Sequence, residues 1–249
     1  VEYATIFSTL DVPVTVIDPR DPILEFLDKD LTSDLIHQLK DRGVTFHIGA
    51  SVESVEKDKQ GRCIVNLDNG RTVKTDMVLY AAGRMGSTDT LGLDNCGIEP
   101  DSRGRLKVSP GTFQSDVEHI FAVGDVIGFP ALASTSMDQG RLAACHAFNE
   151  AVTEPPKFFP YGIYSIPEMS TVGASEEEVR EKKIPYENGI ARFRETSRGQ
   201  IMGLQNGMMK MIFSLNDRKL LGVHIIGEGA TELIHIGQAV MHFGGTVDY

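Results

Sequence analysis

Asp18 and Arg20 stand two residues apart in VTVIDPRDP, where a β-branched run from Val14 to Ile17 ends in a carboxylate, a proline and a guanidinium. A carboxylate at a strand tip accepts the paired hydroxyls of a ribose, and a guanidinium beside it pairs with a phosphate. That chemistry requires a helix ahead of the strand, and VEYATIFSTL, Val1 to Leu10, has apolar residues at helical spacing. Helix, strand and acidic tip in that order form the second half of a dinucleotide-binding βαβ unit, whose acidic residue lies about 20 positions beyond a glycine loop. An Asp before a Pro is also an ordinary turn former and Arg20 an ordinary solvated turn residue, so both readings stand at this level.

Other reactive side chains point nowhere as groups. Cys63, Cys96 and Cys145 are far apart and make no Cys-x-x-Cys pair, which favours a reducing, cytoplasmic setting over a disulfide framework. Of the seven histidines, His224 and His235 are the natural candidates for acid–base work. Each lies inside an apolar segment without a carboxylate at a suggestive spacing, which reads as a packed or interface histidine. No Cys/His spacing suits zinc or iron, so no metal ligand is assigned. Met208, Met209 and Met211 alternate as in a strand and read as core. No catalytic side chain is identified.

The elements that must position these residues follow from periodicity. Leu31, Leu35, Ile36 and Leu39 repeat at helical spacing up to Gly43. TFHIG, RCIVNL and RTVKT read as strands, the last two joined by the Asp68–Asn69–Gly70 turn. DMVLYAAGR, Asp76 to Arg84, and IFAV, Ile120 to Val123, read as buried strands, and Leu132 to Phe148 as a long helix. TEPPKFFP, Thr153 to Pro160, is proline-rich and reads as a linker. Beyond it, ASEEEVREKK is a helix with Ser175 and Glu178 in a capping box, GMMKMIFSL and KLLGVHIIG pair antiparallel, and Thr231 to Phe243 is an apolar helix. The fold class is therefore α/β followed by an α+β tail. A net charge of −11 argues against a nucleic-acid partner, and no apolar run approaches the roughly 20 residues of a membrane span.

YAAGR at Tyr80 and IFAVGDV at Ile120 resemble the flavoprotein pyridine nucleotide-disulfide oxidoreductase superfamily, in which a nicotinamide-binding domain is inserted into an FAD-binding domain. RMGSTDTLGL, DSRGRLKV and GDVIGFPALASTSMDQGRLAA are similar to its transhydrogenase branch. In dihydrolipoyl dehydrogenases a His-Lys pair would follow the Leu-Ala of the helix start, where Ser134 and Thr135 stand here. The resemblance implies FAD, NAD and NADP as cofactors, and hydride transfer between NADPH and NAD+ in the Si-specific manner. It implies Asp125 on the ribityl hydroxyls of the flavin, and the helix start around Ala133 offering amides to the flavin N1/O2 edge. Gly83 would leave room for the nicotinamide nucleotide and Arg84 would supply positive charge, unless they are a plain turn and a surface cation. Glu2 matches a family glutamate close to the nicotinamide pocket.

The expected architecture is Rossmann-like and partial: residues 1–82 a nicotinamide-binding domain without its glycine loop, 83–152 the C-terminal segment of an FAD-binding domain, and 153–249 a dimerisation domain forming a homodimer through 161–249. The resemblance makes the chain a C-terminal fragment, with both glycine loops expected ahead of Val1. The alternatives are a dihydrolipoyl dehydrogenase and a non-catalytic dimerisation module.

Overall fold

The helix and strand expected at the start of the chain form as α1, Glu2–Thr9, and β1, Thr15–Asp18. Asp28 then caps α2, Lys29–Asp41, accepting the Asp30 amide at 3.0 Å. Leu31, Leu35 and Leu39 fall on one face of α2 and are fully buried, each contributing about 1.5–3 kcal/mol. Gly43, at φ +85°, turns the chain into β2, Thr45–Ile48, which runs parallel to β1. Parallel pairing across a helix is the βαβ geometry that carries a strand-tip residue such as Asp18.

An antiparallel meander follows: β3, Val52–Lys57, β4, Cys63–Leu67, and β5, Thr72–Thr75, with the Asp68–Gly70 turn where it was expected. The charged and largely exposed VESVEK of β3 gives almost no hydrophobic period, which is why the sequence does not announce it.

Two expected strands do not form. Residues 76–84 have no regular structure, and Met77, Leu79 and Tyr80 are 77%, 58% and 88% exposed. The apolar run alone cannot make a strand, because a strand needs a neighbouring ladder and no described residue supplies one there. At 120–123 the expected strand shrinks to a single bridge between Phe121 and Gln114. A 3-10 turn, Gly124–Ile127, follows, and then α3, Ala133–Ala147.

The tail contains β6, Tyr161–Ile163, β7, Met169–Gly173, α4, Glu176–Glu181, and β8, Tyr186–Arg192. Next come α5, Ser197–Met202, β9, Met208–Ser214, β10, Leu220–Ile226, and α6, Ala230–His242. The capping box of Ser175 and Glu178 is present, and β9 and β10 pair antiparallel as expected. They are two strands of a five-stranded sheet in the order β6-β7-β10-β9-β8.

In this computed structural model residues 1–152 and 157–249 are described, so the first half of the expected linker, residues 153–156, lies outside them. The chain divides into two compact units, Val1–Val78 with Phe158–Tyr249, and Leu79–Lys157. Within the first, α2 packs on one face of the five-stranded sheet, where Leu31, Leu35 and Leu39 meet Ile163, Met169, Met208 and Ile226. The opposite face, with Val223, Ile225, Met209 and Met211, takes Ile234 and Met241 of α6. Alternation along β9 and β10 feeds both layers, so the methionines are core.

Candidate functional site

In the unit Leu79–Lys157 the candidate flavin contacts sit where the 3-10 turn meets α3. Gly124 has φ +77°, and a Cβ there would lie 3.1 Å from Ser136 Oγ. Its amide donates to Gln139 Oε1 at 2.7 Å, so α3 grips the backbone just ahead of Asp125. Asp125 is exposed, and its carboxylate accepts no hydrogen bond among the described residues.

Ala133 is the first residue of α3, whose N-cap, Leu132, has no capping side chain. Thr135 Oγ1 and Ser136 Oγ donate back to Leu132 O at 2.9 and 2.8 Å, so neither covers the first amides. The first turn holds no acidic residue. An uncapped helix start carries free N–H groups and roughly half a positive charge, which suits an anion or a ring edge with anionic character. An open carboxylate beside it suits hydroxyl donors. These residues therefore suit the hydroxyl chain and an anionic ring edge of a flavin, as expected of Asp125 and Ala133.

Gly83 and Arg84 are exposed, and no hydrogen bond or ion pair joins either to Asp125 or Ala133 among the described residues. Gly83 has φ +116° with nothing within 4 Å of an added Cβ. Glycine is required there by the backbone angle rather than by crowding.

In the unit Val1–Val78 with Phe158–Tyr249, Asp18 and Arg20 come together. Arg20 Nε and Nη2 donate to the two oxygens of Asp18 at 2.9 and 2.8 Å, and the Arg20 amide donates to Asp18 Oδ1 at 2.9 Å. The guanidinium hydrogen bond holds the Asp18 carboxyl below the usual carboxylate range, and Asp18 holds Arg20 above its own. The strand tip thus presents a neutralised pair rather than a bare carboxylate.

Glu2 lies at the other end of α1 and its carboxylate is engaged: Oε1 accepts the Tyr164 amide at 2.9 Å. Thr5 Oγ1 accepts the Ile166 amide at 3.0 Å, and Arg42 Nη1 donates to Ile166 O at 2.7 Å. Three side chains of α1 and the α2 end therefore stitch down the turn between β6 and β7.

Sequence reasoning missed a buried charge network in this unit. Lys210, 1% exposed on β9, donates from Nζ to Asp28 Oδ1 at 3.0 Å, Asp30 Oδ2 at 2.6 Å and Glu176 Oε2 at 2.6 Å. Glu176 also accepts from the Tyr186 hydroxyl, Asn188 Nδ2 and the Arg180 guanidinium. The signal was present in GMMKMIFSL, where period two puts Lys210 on the inward register with Met208 and Ile212.

His224 is fully buried, with Thr171 Oγ1 at 2.5 Å from Nδ1 and Ala174 O at 3.0 Å from Nε2. A carbonyl only accepts, so Nε2 carries the proton and Nδ1 accepts from Thr171. Burial pushes its pKa below the free value, so the ring is neutral and packed, as its apolar strand suggested. His235 is exposed on α6 and contacts Gln238 Oε1.

The family model for pyridine nucleotide-disulphide oxidoreductase matches residues 1–140, and that for the dimerisation domain of the same oxidoreductases matches residues 159–249. A soluble pyridine nucleotide transhydrogenase of Mycobacterium tuberculosis is 51% identical over 249 residues, 100% of this chain and 53% of the relative. That of Serratia proteamaculans is 46% identical, over 100% of this chain and 54% of the relative. The chain thus spans about half the length of the curated relatives it matches.

Among solved structures, the HOCl-induced flavoprotein disulfide reductase RclA from Escherichia coli superposes with a TM-score of 0.90 at 25% identity, covering 98% of this chain and 56% of that one. LpdA from Mycobacterium tuberculosis superposes with a TM-score of 0.90 at 26% identity, covering 99% and 54%. No helix of the described residues is long and apolar enough to cross a membrane.

Proposed function

Because the chain belongs to the pyridine nucleotide-disulphide oxidoreductase family, we propose that it serves an FAD-dependent soluble transhydrogenase, which moves hydride between NADPH and NAD+ in the Si-specific manner. The observation that carries this reading is the 51% identity to a soluble pyridine nucleotide transhydrogenase along the whole of the chain. Bound FAD supplies the hydride relay in such an enzyme; the protein binds and orients it.

In this reading Asp125 accepts hydrogen bonds from the ribityl hydroxyls, and the backbone at Ala133 points the free amides of α3 at the flavin N1/O2 edge. The helix end favours the anionic form of that edge without any side chain having to ionise. Gly83 and Arg84 serve the nicotinamide nucleotide by close backbone approach and positive charge.

Asp18 and Arg20 read the adenosine ribose: the carboxylate suits the hydroxyl pair of NAD(H), and the guanidinium suits the 2′-phosphate of NADP(H). A guanidinium already neutralising the carboxylate supports acceptance of both nucleotides. Glu2 serves the nicotinamide pocket by tethering the Tyr164–Ile166 turn through its backbone.

Residues 1–82, 83–152 and 153–249 act as nicotinamide-binding, FAD-binding and dimerisation parts of a cytoplasmic homodimer joined through 161–249. The experiment is an assay of a protein of the relatives' full length that carries these residues. Reduction of thionicotinamide-NAD+ by NADPH, without lipoamide turnover, supports the reading. Lipoamide turnover without transhydrogenation overturns it in favour of a dihydrolipoyl dehydrogenase.

A further inference from the structure

We propose that Lys210 is a positioning residue for the nicotinamide-nucleotide site, acting through Asp28 on the loop that follows Asp18 and Arg20. The inference rests on the reading above for the identity of the nucleotides and for the place of Asp18 and Arg20 against them. Its basis is where the two ends of that loop are held.

Residues 19–27 run from β1 to α2 with little structure of their own. One backbone hydrogen bond, Leu27 N to Leu24 O at 2.9 Å, closes within the loop, and Leu24 has φ +55°. Ile23 and Leu27 are buried, but a cleft of about 580 Å³ lies between Pro22 of the loop, Ser33 and Ile36 of α2, and Phe46 of β2. Packing therefore leaves part of the loop unsupported. Its near end carries the Asp18–Arg20 pair, and its far end is Asp28.

Asp28 is fully buried, and both its oxygens are engaged. Oδ1 accepts the Asp30 amide, which starts α2, and the Lys210 ammonium; Oδ2 accepts the Glu176 amide, which starts α4. Lys210 is the one cation bonded to Asp28 among the described residues, whereas Glu176 also has Arg180. A buried carboxylate that loses its only cation is an uncompensated charge, relieved by taking up a proton or by moving toward water, and either change alters its hold on the two amides. The group that shifts on losing Lys210 is therefore Asp28, and with it the loop end and the first turn of α2. A lysine from the C-terminal sheet thereby sets the seat of the loop whose opposite end reads the nucleotide.

A purely structural role predicts lower stability with unchanged nucleotide affinity, so the test measures both. The protein is one of the relatives' full length carrying this chain. Its wild type must retain flavin and transhydrogenate, and failure there overturns the transhydrogenase reading, not this inference. In Lys210→Met the KM for NAD(H) and NADP(H) is expected to rise roughly tenfold, with kcat within about twofold and flavin content unchanged. Asp28→Asn keeps a good N-cap and leaves Lys210 two carboxylates, so a smaller rise in the same direction is expected.

On the 249-residue chain itself, amides of residues 19–28 should exchange faster in both variants, with those of β3–β5 unchanged. A fall in melting temperature with KM values and loop exchange unchanged overturns the proposal. If Lys210→Met does not fold, Asp28→Asn decides alone: unchanged KM and unchanged loop exchange in that variant overturn it.

Discussion

Replacing Arg20 by Ala separates the two nucleotides. In the structure two of the three guanidinium nitrogens of Arg20, Nε and Nη2, lie on Asp18, in a pair whose side chains are 59% and 19% exposed. A pair that open is worth only about 0–1 kcal/mol, so the guanidinium swings to a 2′-phosphate with little loss. A charge-assisted contact to phosphate contributes about 1.5–3 kcal/mol. The net gain for NADP(H) is then about 1–2 kcal/mol, or roughly 5- to 30-fold in affinity.

Arg20→Ala removes that contact and also bares Asp18 to the phosphate, so the KM for NADPH should rise by at least that factor. NADH, whose ribose hydroxyls gain a bare acceptor, should change by less than about twofold. Asp18→Asn should act in reverse, weakening NADH modestly and easing NADPH. Steady-state kinetics in a full-length protein with each donor in turn reads this directly. Equal changes for the two donors, or none for either, would refute the reasoning and leave Arg20 as a turn residue.

The 249-residue chain contains no Gly-x-Gly-x-x-Gly for a cofactor diphosphate, so alone it should elute from gel filtration without stoichiometric flavin absorbance and without transhydrogenase activity. Gly124→Ala forces a side chain into φ +77° and against Ser136, a strain of about 1–3 kcal/mol; flavin retention in the full-length protein should fall while the absence of any change would discount the turn. His224 has its folded-state pKa pushed below 6.5 by burial, so the unfolded chain takes up the proton first and stability declines as pH drops below about 6.5, by at most about 1.4 kcal/mol per pH unit. His224→Gln, which retains a donor for Ala174 and an acceptor for Thr171, should flatten the melting temperature between pH 7 and 5. Ile236→Asp, at a residue of α6 that is 58% exposed, should convert the proposed homodimer to monomer by light scattering; an unchanged dimer would move the interface elsewhere.

The parts of the fold that were legible were those with a clean period or a cap. Leu31, Leu35, Ile36 and Leu39 announced α2, and Ser175 with Glu178 announced α4, because helical spacing and capping are local; the Asp28 cap of α2 was not read from the sequence. Residues 76–84 misled because an apolar run gives the preference of a segment but not its partner, and strands exist only as pairs. The apolar residues of α6 were divided by the structure: Ile234 and Met241 are core under the sheet, while Ile236 faces outward. At the candidate site, Asp18 and Arg20 were legible from spacing, but their mutual ion pair is a matter of side-chain rotamers. Gln139 and Lys210 act across 15 and 182 positions, and no local pattern reveals a partner at such separations. Lys210 did leave a trace, as a charge on the inward register of an apolar strand.

In the proposed function a flavin held against Asp125 and α3 passes hydride from one nicotinamide nucleotide to another. The most direct measurement is an anaerobic titration of a flavin-loaded protein of the relatives' full length. NADPH should bleach the flavin absorbance, and NAD+ added afterwards should restore it with one equivalent of NADH formed per flavin. A flavin that NADPH bleaches and that lipoamide but not NAD+ reoxidises would contradict the account.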